Sequence, residues 1–303
     1  MAAVCGLALA CGAACVAEPE SIEGDDAGER DVAIKGAVPA DAYPEAVLVD
    51  MMRDGRVVGA CSGAILAARF VLTAGHCVRH QSAWRVTSPA LGMSADVDLA
   101  APFDLFEDGE LVDRSSRDVG ILRLVTPLAL SAYPALADAP LPNGKRVVDV
   151  GRIEDGAISF DALFASRPVK IHDAADIGFP YAYRAIEKIE PGDSGGPAFV
   201  AGSGPHVIAA VASGSGGGVE LLARVDLVRD WIGEWMATHA GASIPAEERA
   251  PCEHDICEDG ASLDATCGDP CVALVCEGDP YCCATAWDES CLFDAALICG
   301  ACI

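Results

Sequence analysis

The sequence predicts an all-β fold closed by one late helix and followed by a small disulfide-rich domain. Three observations carry this. From Ile34 onward, short β-rich runs alternate with Gly, Pro and Asp turns and no helices intervene, which favours a barrel or sandwich over a parallel α/β sheet. A single helical stripe of apolar residues lies between Val225 and His239. Finally, ten of the fifteen cysteines begin at Cys252.

Composition sets the bounds. With 52% hydrophobic residues the 303-residue chain can fill a core, so wholesale disorder is excluded. Acidic residues outnumber basic ones 46 to 20, so nucleic acid and anionic lipid would be repelled. The longest apolar run, roughly residues 4–17, is too short to span a bilayer, and no transmembrane segment is expected.

Residues 1–20 have the apolar core and small residues of a signal peptide. Leu-Ala-Leu-Ala-Cys11 also has the form of a bacterial lipoprotein box, with Cys11, or less readily Cys15, as the lipidated residue. Residues 21–33 are acidic and poor in large apolar groups, as in a linker or pro-segment. Strands are expected at Ala46–Met52, Arg56–Thr73, Asp118–Leu124, Arg146–Val150, Pro197–Val200, His206–Ser213 and Leu221–Val225. Asp54-Gly55, Pro142-Asn143-Gly144 and Asp155-Gly156 mark turns between such runs.

The helical stripe consists of Leu227, Val228, Trp231, Ile232, Trp235 and Met236, with Asp226 as the expected N-cap and Gly241 as the stop. Such a helix would cover an open barrel edge. Residues 242–250 read as a linker.

Residues 251–303 hold ten cysteines and eleven Asp and Glu residues, without Lys or Arg. So charged and short a segment needs covalent staples, up to five of them, and hence an oxidising compartment outside the cytoplasm. Zinc on Cys252, His254 and Cys257 and weak calcium binding by the carboxylates are the competing readings.

Three segments carry nucleophilic chemistry: Cys61-Ser-Gly-Ala-Ile-Leu-Ala-Ala-Arg-Phe-Val-Leu-Thr-Ala-Gly-His76-Cys77, Arg117-Asp118-Val-Gly-Ile-Leu-Arg-Leu124, and Pro191-Gly-Asp193-Ser194-Gly-Gly-Pro197. Each alone is compatible with an ordinary turn or a satisfied polar residue. Together, in the order His, Asp, Ser, they resemble the trypsin-like (chymotrypsin-fold) serine peptidases over residues 34–241.

That resemblance implies two antiparallel six-stranded β-barrels with the site between them. Ser194 is the expected nucleophile, His76 its base, and Asp118 the group that orients the imidazole. The N–H groups of Gly192 and Ser194 would form the oxyanion hole, and Cys61–Cys77 the histidine-loop disulfide. Ser213 and Gly214 would lie along the substrate strand. Ile34 is the candidate new N-terminus, its amino group pairing with Asp193 after cleavage; Ala33 precedes it, so a trypsin-type activator would not cut there. Lys188, six before the nucleophile, would floor the specificity pocket. It rejects basic side chains and, if it points inward, accepts acidic ones.

The tail loosely resembles cysteine-rich modules appended to secreted hydrolases of myxobacteria. The expectation is a secreted or envelope-anchored monomeric serine endopeptidase acting on protein or peptide, with no cofactor or metal. The alternatives are an inactive homologue that binds through the same cleft, and an adhesion protein whose tail carries the function.

Overall fold

The computed structural model describes residues 37–79, 83–104, 116–186, 189–202, 204–240, 251–299 and 301–302. The expected signal (1–20), pro-segment (21–33), Ile34, Lys188, Gly241 and the linker (242–250) lie outside them. No helix among the described residues is long and apolar enough to cross a membrane.

Strands β1 (Ala46–Arg53), β2 (Arg56–Ala67), β3 (Phe70–Thr73), β4 (Trp84–Ser88), β5 (Met93–Pro102) and β6 (Gly120–Leu124) close a barrel in the order β1-β2-β3-β6-β5-β4. Asp54 and Gly55, at φ 51° and 71°, form the tight turn between β1 and β2. The run Arg56–Thr73, expected as one strand, is two, because the chain turns back at Ala68-Arg69. The Arg69 guanidinium donates to the Leu124 carbonyl at 3.0 Å, holding that turn against β6.

The second half is a ten-stranded sheet rather than a second closed six-stranded barrel. Its long members are β7 (Arg146–Gly151), β8 (Ala182–Ile186), β9 (Pro197–Val200), β10 (Val207–Gly216) and β11 (Val219–Arg224), ordered β7-β9-β10-β11-β8. The other five strands have two residues each. Pro168, Gly178 and Pro180 interrupt the segment leading to β8, so few ladder bonds remain to complete a ring. Val147, Ile171, Tyr183, Ala198, Ala210 and Leu222 form the sheet's own core.

Four residues, Gly75–Val78, form helix α1 after β3. Helix α2 spans Arg229–Thr238. Most of its apolar stripe packs inward, with Trp235 edge-on to Phe70 at 5.9 Å and Trp231 at 5.2 Å from Phe103, but Leu227 precedes the helix and is exposed. Asp226 is not its cap. The Arg224 guanidinium takes that carboxylate at 2.6 and 3.0 Å, and the helix starts three residues later.

In the tail, helices α3 (Pro270–Gly278), α4 (Tyr281–Ala284) and α5 (Glu289–Cys299) are tied by Cys252–Cys267, Cys257–Cys302, Cys271–Cys299, Cys276–Cys283 and Cys282–Cys291. The zinc reading therefore fails, since both of its cysteines are disulfide-bonded. The His254 ring nitrogens instead lie 2.8 and 2.9 Å from the carbonyls of Asp255 and Ala261. Helix α3 packs on β5, so Leu263, Val272, Val275 and Trp287 join the barrel's hydrophobic core. Staples alone do not hold this module.

Candidate active site

His76 stands on α1 with Asp118 at the mouth of β6. The Asp118 carboxylate accepts three hydrogen bonds: from the His76 backbone N–H at 2.8 Å, from His76 Nδ1 at 2.8 Å, and from Ser213 Oγ at 2.6 Å. It is 1% exposed. With the proton on Nδ1, donated to Asp118, Nε2 keeps its lone pair free to accept one. Burial pulls the imidazole pKa down, but the Asp118 charge and hydrogen bond outweigh it, and the net shift is upward from 6.5. Ser213 reaches Asp118 because the β10–β11 register slips between Ala212 and Gly214, leaving Ser213 as the extra residue of a bulge.

Cys61–Cys77 forms and anchors α1 to β2. Ser62, next to it, holds the Gly192–Ser194 loop. Its N–H donates to the Ser194 carbonyl at 2.7 Å, and its hydroxyl to the Gly192 carbonyl at 3.1 Å. Within that loop the N–H groups of Asp193, Gly195 and Gly196 are taken by the carbonyls of Glu190, Ala212 and Asp193. Those of Gly192 and Ser194 meet no protein acceptor among the described residues. Two backbone donors are thus unspent beside the Ser194 hydroxyl, as an oxyanion hole requires.

Gly195 makes this loop possible. Its φ is +78°, and a Cβ there would sit 2.5 Å from the Ser62 carbonyl oxygen and 2.7 Å from the Ala74 nitrogen. Gly195→Ala should destabilise the protein by about 2–4 kcal/mol, read as a lowered denaturant midpoint.

Asp193 does not face the cleft. It is 1% exposed, and its carboxylate accepts from the backbone N–H of Ile153 at 2.9 Å and of Glu190 at 3.0 Å. Burial raises its pKa to about 6 against the pull of those donors. Gly151 leaves room for it, since a Cβ there would lie 2.5 Å from Asp193 Cγ. Asp149 is enclosed nearby, beside Glu220. Burial pushes its carboxyl far above the ordinary range, and the Asp193 charge adds to this.

Raised carboxyl pKa values mean that the folded state holds these protons more tightly. Their contribution is complete below about pH 3.8 and is lost as pH climbs through 6 and beyond. Asp149→Asn should therefore raise the thermal midpoint more at pH 8 than at pH 5, which calorimetry at both pH values would check.

His76, Gly192, Ser194, Ser213 and Gly214 line one cavity of about 590 Å³. No hydrogen bond joins Ser194 Oγ to the imidazole among the described residues; the two share the cavity wall. The remaining walls are largely apolar, formed by Met51, Ile177, Phe179, Ile189, Val219 and Leu221. Lys188 and Ile34, the expected pocket floor and activation terminus, are outside the described residues.

The sequence profile of a trypsin-like peptidase domain matches residues 61–207, from the histidine-loop cysteine to past Ser194. That stretch is similar to a trypsin-like peptidase domain. Residues 250–302 match a domain of unknown function, DUF8252, which supplies no activity and no link to myxobacteria. A phenoloxidase-activating enzyme of Bombyx mori is 41% identical over 76 residues, 23% of this chain and 17% of that enzyme. The chain therefore spans under a fifth of that relative's length.

Solved structures confirm a chymotrypsin-like fold around the peptidase domain. Human heparin binding protein superposes with TM-score 0.55 at 22% identity, covering 68% of this chain and 97% of that one. A scabies mite inactivated protease paralogue gives 0.55 at 20%, covering 66% and 97%. HL collagenase gives 0.57 at 16%, covering 68% and 98%.

Two contributors to the peptidase domain's site went unrecognised in the sequence. Ser62 lies inside the histidine segment yet carries no mark of its role. Arg152, fully buried, donates to Asp50 Oδ1 at 2.7 Å, the Cys61 carbonyl at 3.0 Å and the Ser159 carbonyl at 2.7 Å. It locks the second sheet to the barrel. Its only sequence signal is an arginine after a strand-ending glycine, which most often means a solvated turn.

Proposed function

We propose that this protein is an exported serine endopeptidase, with residues 34–241 as its catalytic domain and 251–303 as an appended module. The observation that carries this is His76, held by Asp118 at 2.8 Å, on the wall of the same cavity as Ser194 and two unspent backbone donors. Ser194 Oγ attacks the substrate carbonyl while His76 Nε2 takes its proton. The imidazolium that forms is stabilised by Asp118, whose other contacts keep it from swinging away. The carbonyl oxygen, now negative, is received by the Gly192 and Ser194 N–H groups. His76 then returns the proton to the leaving amine, and water resolves the acyl-enzyme by the same steps reversed. Catalytic hydrogen bonds commonly tighten only when substrate is bound, which accounts for the open Ser194–His76 contact.

On this reading Ser213 and Gly214 border the bound peptide. Cleavage before Ile34 frees an amino group for Asp193, whose buried carboxylate meets no cation among the described residues. Lys188 denies the pocket to basic side chains. The six disulfides of the described residues suit an oxidising exterior. An inactivated paralogue is among the similar folds, but the retention of all three reactive side chains favours an enzyme.

A fluorophosphonate probe tests the reading. It should label the protein covalently at Ser194 once the chain has been cut before Ile34. A correctly cut chain that takes no label and cleaves no peptide would leave the binding-only alternative.

A further inference from the structure

Acidic residues dominate the chain, yet one end of the second sheet carries only cations. Residues 139–148, 162–172 and 194–206 contain no Asp or Glu, although the chain has 46 of them. The sheet brings these segments together. Strand β7 pairs with Phe164–Ala165 and Val169–Lys170 along one side and with β9 along the other.

Four basic residues stand where β7 begins: Lys145, Arg146, Arg167 and Lys170, all exposed. Lys170 lies directly opposite Arg146 in the antiparallel ladder, so two like charges face each other. Such a pairing weakens a ladder. Six other arginines (Arg85, Arg117, Arg123, Arg152, Arg184 and Arg224) each hold an aspartate. None of these four basic residues makes an ion pair with a described residue.

The backbone beneath them is fixed. The Ile171 N–H donates to the Lys145 carbonyl at 2.9 Å, and the Ile171 carbonyl accepts from the Gly144 N–H at 2.8 Å. The first carboxylate beyond this end, Asp173, accepts from the Ala175 N–H at 2.7 Å, and its charge acts on Arg224. Opposed cations held exposed on such a support are a receptor for carboxylates, which arginine grips with two parallel N–H bonds.

Size selects the kind of anion. Directly opposed residues lie about 5 Å apart, and Arg167 is three residues, about 10 Å along the chain, from Lys170. The cluster therefore matches about three or four residues of an extended acidic peptide, each advancing about 3.4 Å. A long polyanion would run off it onto a surface whose overall formal charge is −26, and be repelled there.

We propose that Lys145, Arg146, Arg167 and Lys170 form a docking site for a short run of Asp and Glu residues on a partner protein. Binding here needs neither Ser194 nor cleavage, so the site stands or falls apart from the peptidase reading.

Fluorescence anisotropy of a labelled hexaglutamate peptide, titrated with the full chain, tests this. Hexaglutamate should bind about tenfold more tightly than labelled hexaglutamine. Raising the salt from about 50 to about 300 mM should weaken it. Lys170→Glu should lower hexaglutamate affinity about tenfold and yet raise the thermal midpoint, because Arg146 then faces an opposite charge. A merely structural role for Lys170 would not give that split. Arg85→Glu makes the same change in net charge on the first barrel and should leave the affinity unaltered. Equal binding of the two peptides, or equal losses from Lys170→Glu and Arg85→Glu, overturns the proposal. So does tighter binding of a sulfated oligosaccharide of the same charge, which would make this a glycan site.

Discussion

Replacing Ser194 with alanine should lower peptide hydrolysis by about 10⁶-fold and remove fluorophosphonate labelling entirely. The size of the effect follows from the division of labour in the loop. Without the hydroxyl there is no acyl-enzyme, and the imidazole has nothing to deprotonate but water. What remains is the background from substrate positioning and the two backbone donors. The fold should survive, because Ser194 is held through its backbone: its carbonyl bonds to the Ser62 N–H. Steady-state kinetics at matched protein concentration, with matched thermal melts, would separate lost chemistry from lost structure. A Ser194→Ala enzyme with wild-type turnover would place the nucleophile elsewhere.

Asp118→Asn should cost about 10⁴-fold in kcat. The asparagine amide presents an N–H where His76 and Ser213 both require an acceptor, so the imidazole is driven to the wrong tautomer. The pH dependence gives a second readout. His76 must be neutral to act as base, and its raised pKa puts the acidic limb of kcat/KM above pH 6.5. Removing the Asp118 charge leaves burial unopposed, and that lowers the imidazole pKa. The residual activity of Asp118→Asn should therefore rise at lower pH than the wild type's. A limb that does not move would mean that another group limits the rate at acid pH.

Much of this site is legible in the sequence because its parts are local. Thr73-Ala-Gly-His76-Cys77 and Gly192-Asp-Ser194-Gly-Gly are contiguous segments whose glycines and small residues fold the same way wherever a backbone must approach closely. The α2 stripe is legible for a similar reason, since Trp231 and Trp235 declare their common face by spacing alone. The helix start was not, because Asp226 had a competing partner, Arg224, that spacing does not reveal. The break at Ala68-Arg69 was likewise hidden in an uninterrupted β-rich run.

Taken by itself, the sequence determined which reactive side chains the protein has, that its first half is strand-built, and that its tail must be stapled. These follow from composition and short-range pattern. Tertiary structure alone decided which cysteines of the tail pair, that the tail shares the barrel's core through α3, that Asp149 and Asp193 are buried together, and that Ile177 faces the cleft. Each depends on chain closure over tens of residues or more, where the partner is chosen by the packing of whole elements and no local rule anticipates it.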